Sequence, residues 1–342
     1  MTPTMASQPP TSVGPLVQLA RPDRTPRAAV SLSINGADLT VPEGTTILAA
    51  CAKLDVAVPT LCYLETLRPA NVCRLCVVEV EGARVLAPAC SRAVEPGMKV
   101  KTDSPRVHHS RKLVLELLAS SVDLSTAPGM AELLTEYQCQ PARFGPAAPV
   151  DAAGERDAAI PGHHTPTEPG LAATVAQPVK LDNDLYIRDY SKCVLCYKCV
   201  EACGPDHQNT FAIAIAGRGF NARISTELAV PLPGSACVYC GNCIAVCPTG
   251  ALMAKAEFDL RKNGEWDESV QSVTDTICPY CGVGCTLSLH VQDGDIVKAT
   301  SPLDNGITLG NLCIKGRFGW QFVQPKTAAG ASTKGVVPGS SA

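Results

Sequence analysis

Alternating apolar and polar residues near the start of the chain predict a β-hairpin. Residues 30–34 read Val-Ser-Leu-Ser-Ile, which suits a strand that buries one face. Asn35-Gly36 is typical of tight hairpin turns, and residues 37–41 return as the second strand. This pattern predicts that a small sheet begins the folded region.

A helical spacing follows the hairpin. Thr45 can cap a helix that runs to about residue 54. Four apolar side chains share one face of this helix: Ile47, Leu48, Cys51 and Leu54. Cys51 is therefore predicted to be a core residue rather than a metal ligand.

A second hairpin is predicted where residues 77–80 and 84–86 flank Glu81-Gly82. It completes one module over residues 30–105, in the order hairpin, helix, long loop and hairpin.

An amphipathic helix is predicted over residues 106–120. Its apolar line is formed by Leu113, Leu117 and Ser120. His108 and His109 precede the apolar face and are expected to be solvated.

The remaining patterns divide the chain into seven segments. Pro-rich and small-residue stretches are expected to be disordered or to link domains. The predicted boundaries are 1–29 (disordered extension), 30–105 (first module), 106–140 (helical segment), 141–180 (linker), 181–262 (second module), 263–323 (third module) and 324–342 (disordered tail).

Charge and hydropathy exclude several classes of function. With 29 basic and 32 acidic residues among 342, the net charge of -3 gives no basis for binding nucleic acid or an anionic membrane. No apolar run reaches the roughly eighteen residues of a transmembrane segment, and the N-terminus lacks a secretory pattern. We expect a cytoplasmic protein, in which thiols remain reduced and available for metal.

Cysteines supply the candidate chemistry, because sixteen of the eighteen fall into four sets of four. The first set is Cys62, Cys73, Cys76 and Cys90; the second run is Cys193, Cys196, Cys199 and Cys203; the third run is Cys237, Cys240, Cys243 and Cys247; the fourth set is Cys278, Cys281, Cys285 and Cys313. Cys51 and Cys139 are left over. Disulfides fit poorly, since CxxCxxCxxxC occurs twice and no export signal is visible. Zinc is the stronger alternative, although three cysteines at i, i+3 and i+6 suit a cubane better than a tetrahedral ion.

The first set has the spacing C-x10-C-x2-C-x13-C. It resembles the 2Fe–2S domain of the large iron–sulfur subunit of respiratory complex I and of the α subunits of NAD-linked formate dehydrogenases and hydrogenases. This resemblance implies a β-grasp ferredoxin domain that holds one 2Fe–2S cluster.

The two runs CVLCYKCVEAC and CVYCGNCIAVCP resemble two-cluster bacterial ferredoxins. In that family the fourth cysteine of each run ligates the other cluster. The resemblance therefore implies two 4Fe–4S clusters, one held by Cys193, Cys196, Cys199 and Cys247, and one held by Cys237, Cys240, Cys243 and Cys203.

The last set reads CPYCGVGC and then LCIKGRFGW. Gly282 and Gly284 allow backbone amides to approach sulfide. The segment resembles the small 4Fe–4S domain of molybdenum or tungsten bis-pterin oxidoreductases, formate dehydrogenases above all. The resemblance implies a third 4Fe–4S cluster on this set, and it places Lys315 between that cluster and a pterin.

Together the segments predict an α+β chain: a β-grasp 2Fe–2S domain, a bacterial-type two-cluster ferredoxin domain and a bis-pterin-type 4Fe–4S domain. Their order resembles the N-terminal iron–sulfur part of the α subunit of NAD-linked molybdenum or tungsten formate dehydrogenases. That family usually has a further cluster, held by one histidine and three cysteines, after the helix that corresponds to 106–120. Here only Cys139 remains, so that cluster is expected to be absent.

The resemblance implies an electron-transfer subunit that binds no substrate itself. Its expected partners are a separate molybdopterin catalytic subunit carrying a Mo/W-bis-pterin and a flavin- and NAD-binding diaphorase subunit, unless the chain is a truncated piece. Two alternatives stay open: a complex I-like or hydrogenase-diaphorase iron–sulfur subunit, and a free-standing polyferredoxin-like carrier.

Overall fold

A computed structural model of the chain describes residues 27–144, 164–165, 174–175, 179–219 and 222–323. Most of the predicted extension 1–29, most of the linker 141–180 and all of the tail 324–342 lie outside these residues.

The elements are short, as suits small domains. The strands are β1 Ala29–Ile34, β2 Ala37–Pro42, β3 Val77–Val80, β4 Ala87–Pro88, β5 Lys99–Lys101, β6 His164–Thr165, β7 Thr174–Val175, β8 Tyr186–Arg188, β9 Ala214–Ala216, β10 Arg223–Ser225, β11 Leu252–Ala254, β12 Ser272–Ile277, β13 Thr286–Gln292 and β14 Asp295–Thr300. The α-helices are α1 Ile47–Ala52, α2 Pro105–Ser121, α3 Met130–Glu136, α4 Lys198–Cys203, α5 Asn242–Ala245, α6 Lys255–Lys262 and α7 Ile314–Phe318.

The first module is a five-stranded mixed sheet in the order β2-β1-β5-β3-β4, with α1 against it. β1 pairs antiparallel with β2 and parallel with β5. The turn residue Asn35 ties the sheet together, because its amide donates to Thr102 Oγ1 at 2.7 Å and its Oδ1 accepts from Thr102 N at 2.9 Å. Cys51 is fully buried in this core, as predicted.

Two predicted details of this module are wrong. The helix cap is Thr46, whose hydroxyl accepts from Ala49 N at 3.2 Å, whereas Thr45 Oγ1 donates to the Pro42 carbonyl. The return strand of the second hairpin is β4 rather than residues 84–86, because β3 pairs with residues 87–88. The loop after Glu81-Gly82 is therefore longer than a tight hairpin requires.

The predicted helix over 106–120 is α2, and the structure corrects its buried face. Leu115 is fully buried, whereas Leu117 is 48% exposed. The buried side packs on α3 and on the loop that precedes β3, through Leu61, Leu75, Leu115, Ala127, Met130 and Tyr137. The segment that carries an additional cluster in the resembled family thus forms α3 here and joins this apolar group. His108 and His109 are exposed.

The ferredoxin module contains two antiparallel pairs, β8 with β11 and β9 with β10. The first module docks on it through Arg68, whose backbone N–H and guanidinium both contact the Asp206 carboxylate. His207 Nε2 lies 3.0 Å from the Thr66 carbonyl. These contacts fix the loop before Cys73 against the end of α4.

The last module is the sheet β12-β13-β14 with α7 beside it. β13 and β14 form an antiparallel hairpin around Asp293-Gly294, both of which have positive φ. α7 lies against the loop between Cys240 and Asn242, where Leu312 N donates to Asn242 Oδ1 at 3.0 Å. No helix of the described residues is both long and apolar enough to cross a bilayer.

Cys51 and Cys139 offer a test of their non-ligand roles. Burial raises the pKa of the Cys51 thiol to about 11, and Cys139 Sγ lies 3.9 Å from the Lys112 carbonyl oxygen. We expect Cys51→Ala to cost about 1 kcal/mol of stability through a small cavity. Both Cys51→Ala and Cys139→Ala should keep full iron content and unchanged visible absorption. Iron loss in either variant would make that cysteine a ligand.

Candidate iron–sulfur centres

The first set lies in the loop between α1 and β3 and just after β4. The thiol of Cys62 lies beside that of Cys73, and the thiol of Cys76 lies beside that of Cys90. The neighbouring thiol lowers the pKa of Cys62 in the first pair and of Cys76 in the second. The same pairing raises the pKa values of Cys73 and Cys90. Four thiols in two such pairs can supply thiolates to a binuclear cluster.

The two ferredoxin runs fold into matching loops. Leu195 and Tyr197, on either side of Cys196, have positive φ, and so do the equivalent residues Tyr239 and Gly241 around Cys240. This left-handed backbone turns amides toward sulfur. Leu195 N lies 3.5 Å from Cys193 Sγ, and Tyr239 N lies 3.4 Å from Cys237 Sγ. The backbone amides of Lys198 and Asn242 favour the thiolates of Cys196 and Cys240, because they oppose the rise in pKa that burial causes.

The fourth cysteine of each run lies with the first three of the other. One pocket is lined by Cys193, Cys196, Cys199 and Cys247. A second pocket is lined by Cys203, Cys237, Cys240 and Cys243. The structure therefore brings together the two groups that the ferredoxin resemblance implies, although ligation by them stays a prediction.

The chemistry of these pockets fits clusters with positive iron. Burial raises the pKa of Cys193 to about 12 and that of Cys196 to about 11, and the neighbouring Cys247 thiolate adds to both shifts. The pKa values of Cys199 and Cys243 rise further for the same reasons, desolvation first and neighbouring thiolates second. Four ionised thiolates in one pocket are unfavourable alone, whereas iron binding would displace their protons and neutralise them. Within the described residues, no three His, Cys, Asp or Glu side chains are arranged to hold a single metal ion.

The fourth set gathers at the base of β13 and the start of α7. Cys278 N donates to the Cys285 carbonyl at 2.8 Å, and burial together with the charges of Cys278, Cys281 and Cys313 raises the pKa of Cys285. Among the eighteen cysteines, all of which the structure describes, Cys281 and Cys313 alone are exposed. Lys315 is exposed next to them. Val283 and Ile314, which lie close to Cys281 and Cys313 in the chain, are also exposed, and so are Leu303, Ile307 and Leu309 of the same module.

The four sets follow one another in space. The charge of Cys62 contributes to the raised pKa of Cys196, and Lys198 feels the charges of both, so the first set lies close to the second. The charge of Cys243 contributes to the raised pKa of Cys199, so the two ferredoxin pockets lie side by side. The arrangement from the first set to the third is therefore continuous.

The link from the third set to the fourth is a pair of residues that sequence reasoning did not identify. Asn242 is buried, and its Oδ1 accepts from Leu312 N and from Arg317 Nη2 at 3.3 Å. Arg317 Nε donates to the Cys240 carbonyl at 3.2 Å. The only signal for them was their position, since Asn242 lies inside a cysteine run and Arg317 follows the last cysteine closely.

Tyr186 is a further residue that the cysteine spacing did not indicate. Its hydroxyl lies 3.0 Å from Cys237 Sγ, and its ring stacks on Phe318 with centroids 6.3 Å apart. Burial raises its pKa well above the ordinary value, so it remains a neutral donor to sulfur.

Three parts of the chain match known sequence families. Residues 27–105 match the 2Fe-2S iron-sulfur cluster binding domain, residues 234–253 the 4Fe-4S binding domain, and residues 271–325 the molybdopterin oxidoreductase Fe4S4 domain. These matches, with the mixed helices and sheets described above, confirm the predicted α+β fold class and its three kinds of domain. They also indicate both 2Fe–2S and 4Fe–4S clusters.

Similar proteins are subunits of several oxidoreductases. The chain is 34% identical over 309 residues to the α subunit of the NADPH-Fe(3+) oxidoreductase of Geobacter sulfurreducens, and the match covers 90% of this chain and 33% of that protein. It is 31% identical over 303 residues to a subunit of the NADH-quinone oxidoreductase of Rhizobium meliloti (87% and 32%). It is 28% identical over 325 residues to a Staphylococcus haemolyticus protein classed provisionally as a formate dehydrogenase (85% and 31%). The chain thus spans about a third of the length of these relatives.

A solved structure shares the fold. A chain of an NAD+-reducing [NiFe]-hydrogenase in the H2-reduced state superposes with a TM-score of 0.53 at 22% identity, over 67% of this chain and 88% of that one. At this identity the likeness concerns the fold alone.

The exchange of the fourth cysteines between the two clusters can be tested by comparing the EPR signals that single substitutions remove. Cys247→Ser should remove the same EPR signal as Cys196→Ser, and Cys203→Ser the same signal as Cys240→Ser, because each pair lines one pocket. A serine hydroxyl is a poor substitute, since it resists deprotonation. The double variant Cys196→Ser/Cys247→Ser should lose no more iron than either single variant. If Cys247→Ser instead removed the signal of Cys240→Ser, each run would hold its own cluster.

Proposed function

We propose that this chain is the iron–sulfur electron-transfer part of an oxidoreductase similar to those that contain the NADPH-Fe(3+) oxidoreductase α subunit and the NADH-quinone oxidoreductase subunit described above. It relays electrons between a Mo/W-bis-pterin site on a catalytic partner and an acceptor subunit that binds flavin and NAD. The reaction served is formate oxidation to carbon dioxide coupled to NAD reduction, or its reverse.

The observation that carries this proposal is the line of four cysteine sets with one open end. Cys199 is buried and Cys243 half-buried in the middle of the line, whereas Cys281 and Cys313 are exposed at one end. A relay needs closely spaced internal sites and an end that a partner can approach. Exposed apolar side chains around Cys313, such as Ile314, suit burial against such a partner.

Cysteine thiolates alone would hold the four clusters. Cys62, Cys73, Cys76 and Cys90 would hold the 2Fe–2S cluster, and the other twelve cysteines would hold three 4Fe–4S clusters in the grouping given above. When bound, the clusters accept and donate single electrons. The protein contributes amide donors to sulfur, burial and fixed cations, which are the properties that tune such sites.

A pterin-binding partner is supported by the last domain, because residues 271–325 match the molybdopterin oxidoreductase Fe4S4 domain and Lys315 is exposed beside Cys313. Formate as the substrate of that partner is supported by the similarity to the Staphylococcus haemolyticus protein. The catalytic part would lie on a separate subunit or on a longer form of this polypeptide.

A quinone-linked complex is the second candidate function, supported by the similarity to the Rhizobium meliloti NADH-quinone oxidoreductase. Purification of the native complex distinguishes the two. Molybdenum or tungsten with a pterin, together with formate-dependent cluster reduction, is expected for the first. A complex without pterin would support the second, and a monomer without partners would support a free-standing carrier.

The cluster content is the first test of the relay. The chain reconstituted with iron and sulfide should bind about fourteen iron atoms, as one 2Fe–2S and three 4Fe–4S clusters. Chemical iron and sulfide analysis with Mössbauer spectroscopy measures this content. Bound zinc, or spectra of a fifth cluster, would contradict it.

Lys315 tests the handover at the open end. An ammonium there can donate hydrogen bonds to electron-rich groups on both sides. In the assembled complex, Lys315→Ala should retain its iron and its partner yet slow formate-dependent reduction of the clusters at least about tenfold in rapid-mixing experiments. Lys315→Arg should recover only part of the rate, because a planar fork replaces a point donor poorly.

Lys262, which is exposed at the end of α6, provides the control. Lys262→Ala should reduce at the wild-type rate. A wild-type rate in Lys315→Ala as well would show that Lys315 is a surface residue without a role in the handover.

A further inference from the structure

Arg317 is a buried cation at the junction between the ferredoxin module and the last module. Its side chain is buried, and the residue is only 5% exposed. Its backbone N–H donates to the carbonyl of Cys313, an exposed cysteine of the fourth set, at 3.0 Å. The facing loop leaves room for it, since a Cβ on Gly241 would lie 2.3 Å from Arg317 Cδ. Gly241 also has a φ of +73°, which favours glycine. The two modules are therefore shaped around this side chain.

The guanidinium of Arg317 donates to neutral oxygens. Nε and Nη2 donate to the Cys240 carbonyl and Asn242 Oδ1, and the carbonyls of Ala299 and Gly310 lie at 3.5 Å. No ion pair formed within the part of the chain that the structure describes includes Arg317. A buried guanidinium without a carboxylate is costly unless another negative charge lies close.

That negative charge comes from the cysteines of one ferredoxin pocket, which are Cys203, Cys237, Cys240 and Cys243. Burial lowers the pKa of Arg317 to about 10, and the charges of Cys240 and Cys243 act in the opposite direction. Four thiolates give a 4Fe–4S cluster a net negative charge, which grows by one on reduction. In the loaded protein Arg317 would therefore face a charge that becomes more negative when an electron arrives.

Arg188 shows the contrast beside the same cysteines. It is also buried, and it lines the pocket of the third set, but it forms an ion pair with Asp182. Its positive charge is therefore largely cancelled by its own partner. Arg317 is the buried cation whose charge remains available to the cluster.

We infer that Arg317 is the internal counter-cation of the cluster held by Cys203, Cys237, Cys240 and Cys243, and that it raises the reduction potential of this cluster. This inference rests on the proposed relay and adds a determinant of its direction. A fixed cation in a poorly polarisable interior stabilises the reduced, more negative cluster over the oxidised one. This cluster, which lies next to the exposed fourth set, thereby becomes the better electron acceptor. Arg317 acts through its charge alone, because adding one electron to the cluster breaks no bond and takes no proton from the guanidinium.

The test is a redox titration of the full chain reconstituted with iron and sulfide. Dithionite with mediators sets the potential, and EPR follows the signal that Cys240→Ser removes. In Arg317→Gln the ratio of reduced to oxidised cluster at a fixed potential should fall at least tenfold, which is ~59 mV for a one-electron couple. Arg317→Lys keeps the charge and should stay within about threefold of wild type.

Arg218 provides the matched control, because it is an exposed arginine of the ferredoxin module, which holds the cysteines of this cluster. Arg218→Gln should leave the ratio unchanged, since water screens a surface charge. An unchanged ratio in Arg317→Gln, or an equal fall in Arg218→Gln or Arg317→Lys, overturns the inference and leaves the relay intact.

If Arg317→Gln does not assemble the cluster, the measurement on Arg317→Lys decides the test. A cluster at near wild-type potential in the lysine variant supports a role for charge, and loss of the cluster there as well contradicts it. A wild-type chain that assembles no cluster on the third set would overturn the relay itself.

Discussion

The cost of burying closely spaced thiolates is the constraint on which the rest of this structure depends. Desolvation and neighbouring cysteines both raise the pKa values of Cys199 and Cys243. Such thiols remain protonated until a positive core replaces the protons. Folding of the cysteine loops and loading of iron are therefore coupled, which suits a chain with only 4% aromatic residues.

The backbone meets this constraint with two matching loops that share their fourth cysteines. Left-handed residues beside Cys196 and Cys240 turn amides toward sulfur in both loops. Because Cys203 lies in the pocket of the second loop and Cys247 in that of the first, neither pocket is complete without both loops. The exchange also brings the two pockets close together, which electron transfer between them requires.

Cations lie at the junctions between modules. Lys198 lies near Cys62 of the first set and Cys196 of the next; burial lowers its pKa while the thiolates act in the opposite direction. Arg317 occupies the corresponding place between Cys240 and the last module. Packing between modules therefore sets the electrostatic environment of the sites as well as their separation.

The cysteine motifs determined the kinds of domain and their order through their resemblance to known iron–sulfur families, because each kind of cluster domain has a characteristic ligand spacing. Strands and the Asn35-Gly36 turn followed from local periodicity and turn chemistry. Tertiary structure decided the rest. It buried Leu115 of α2 instead of Leu117, since the neighbouring α3 selects which side of a helix is covered. It also buried Arg317 against Cys240, 77 residues away in the chain, and a contact over such a distance leaves no periodic trace in the sequence.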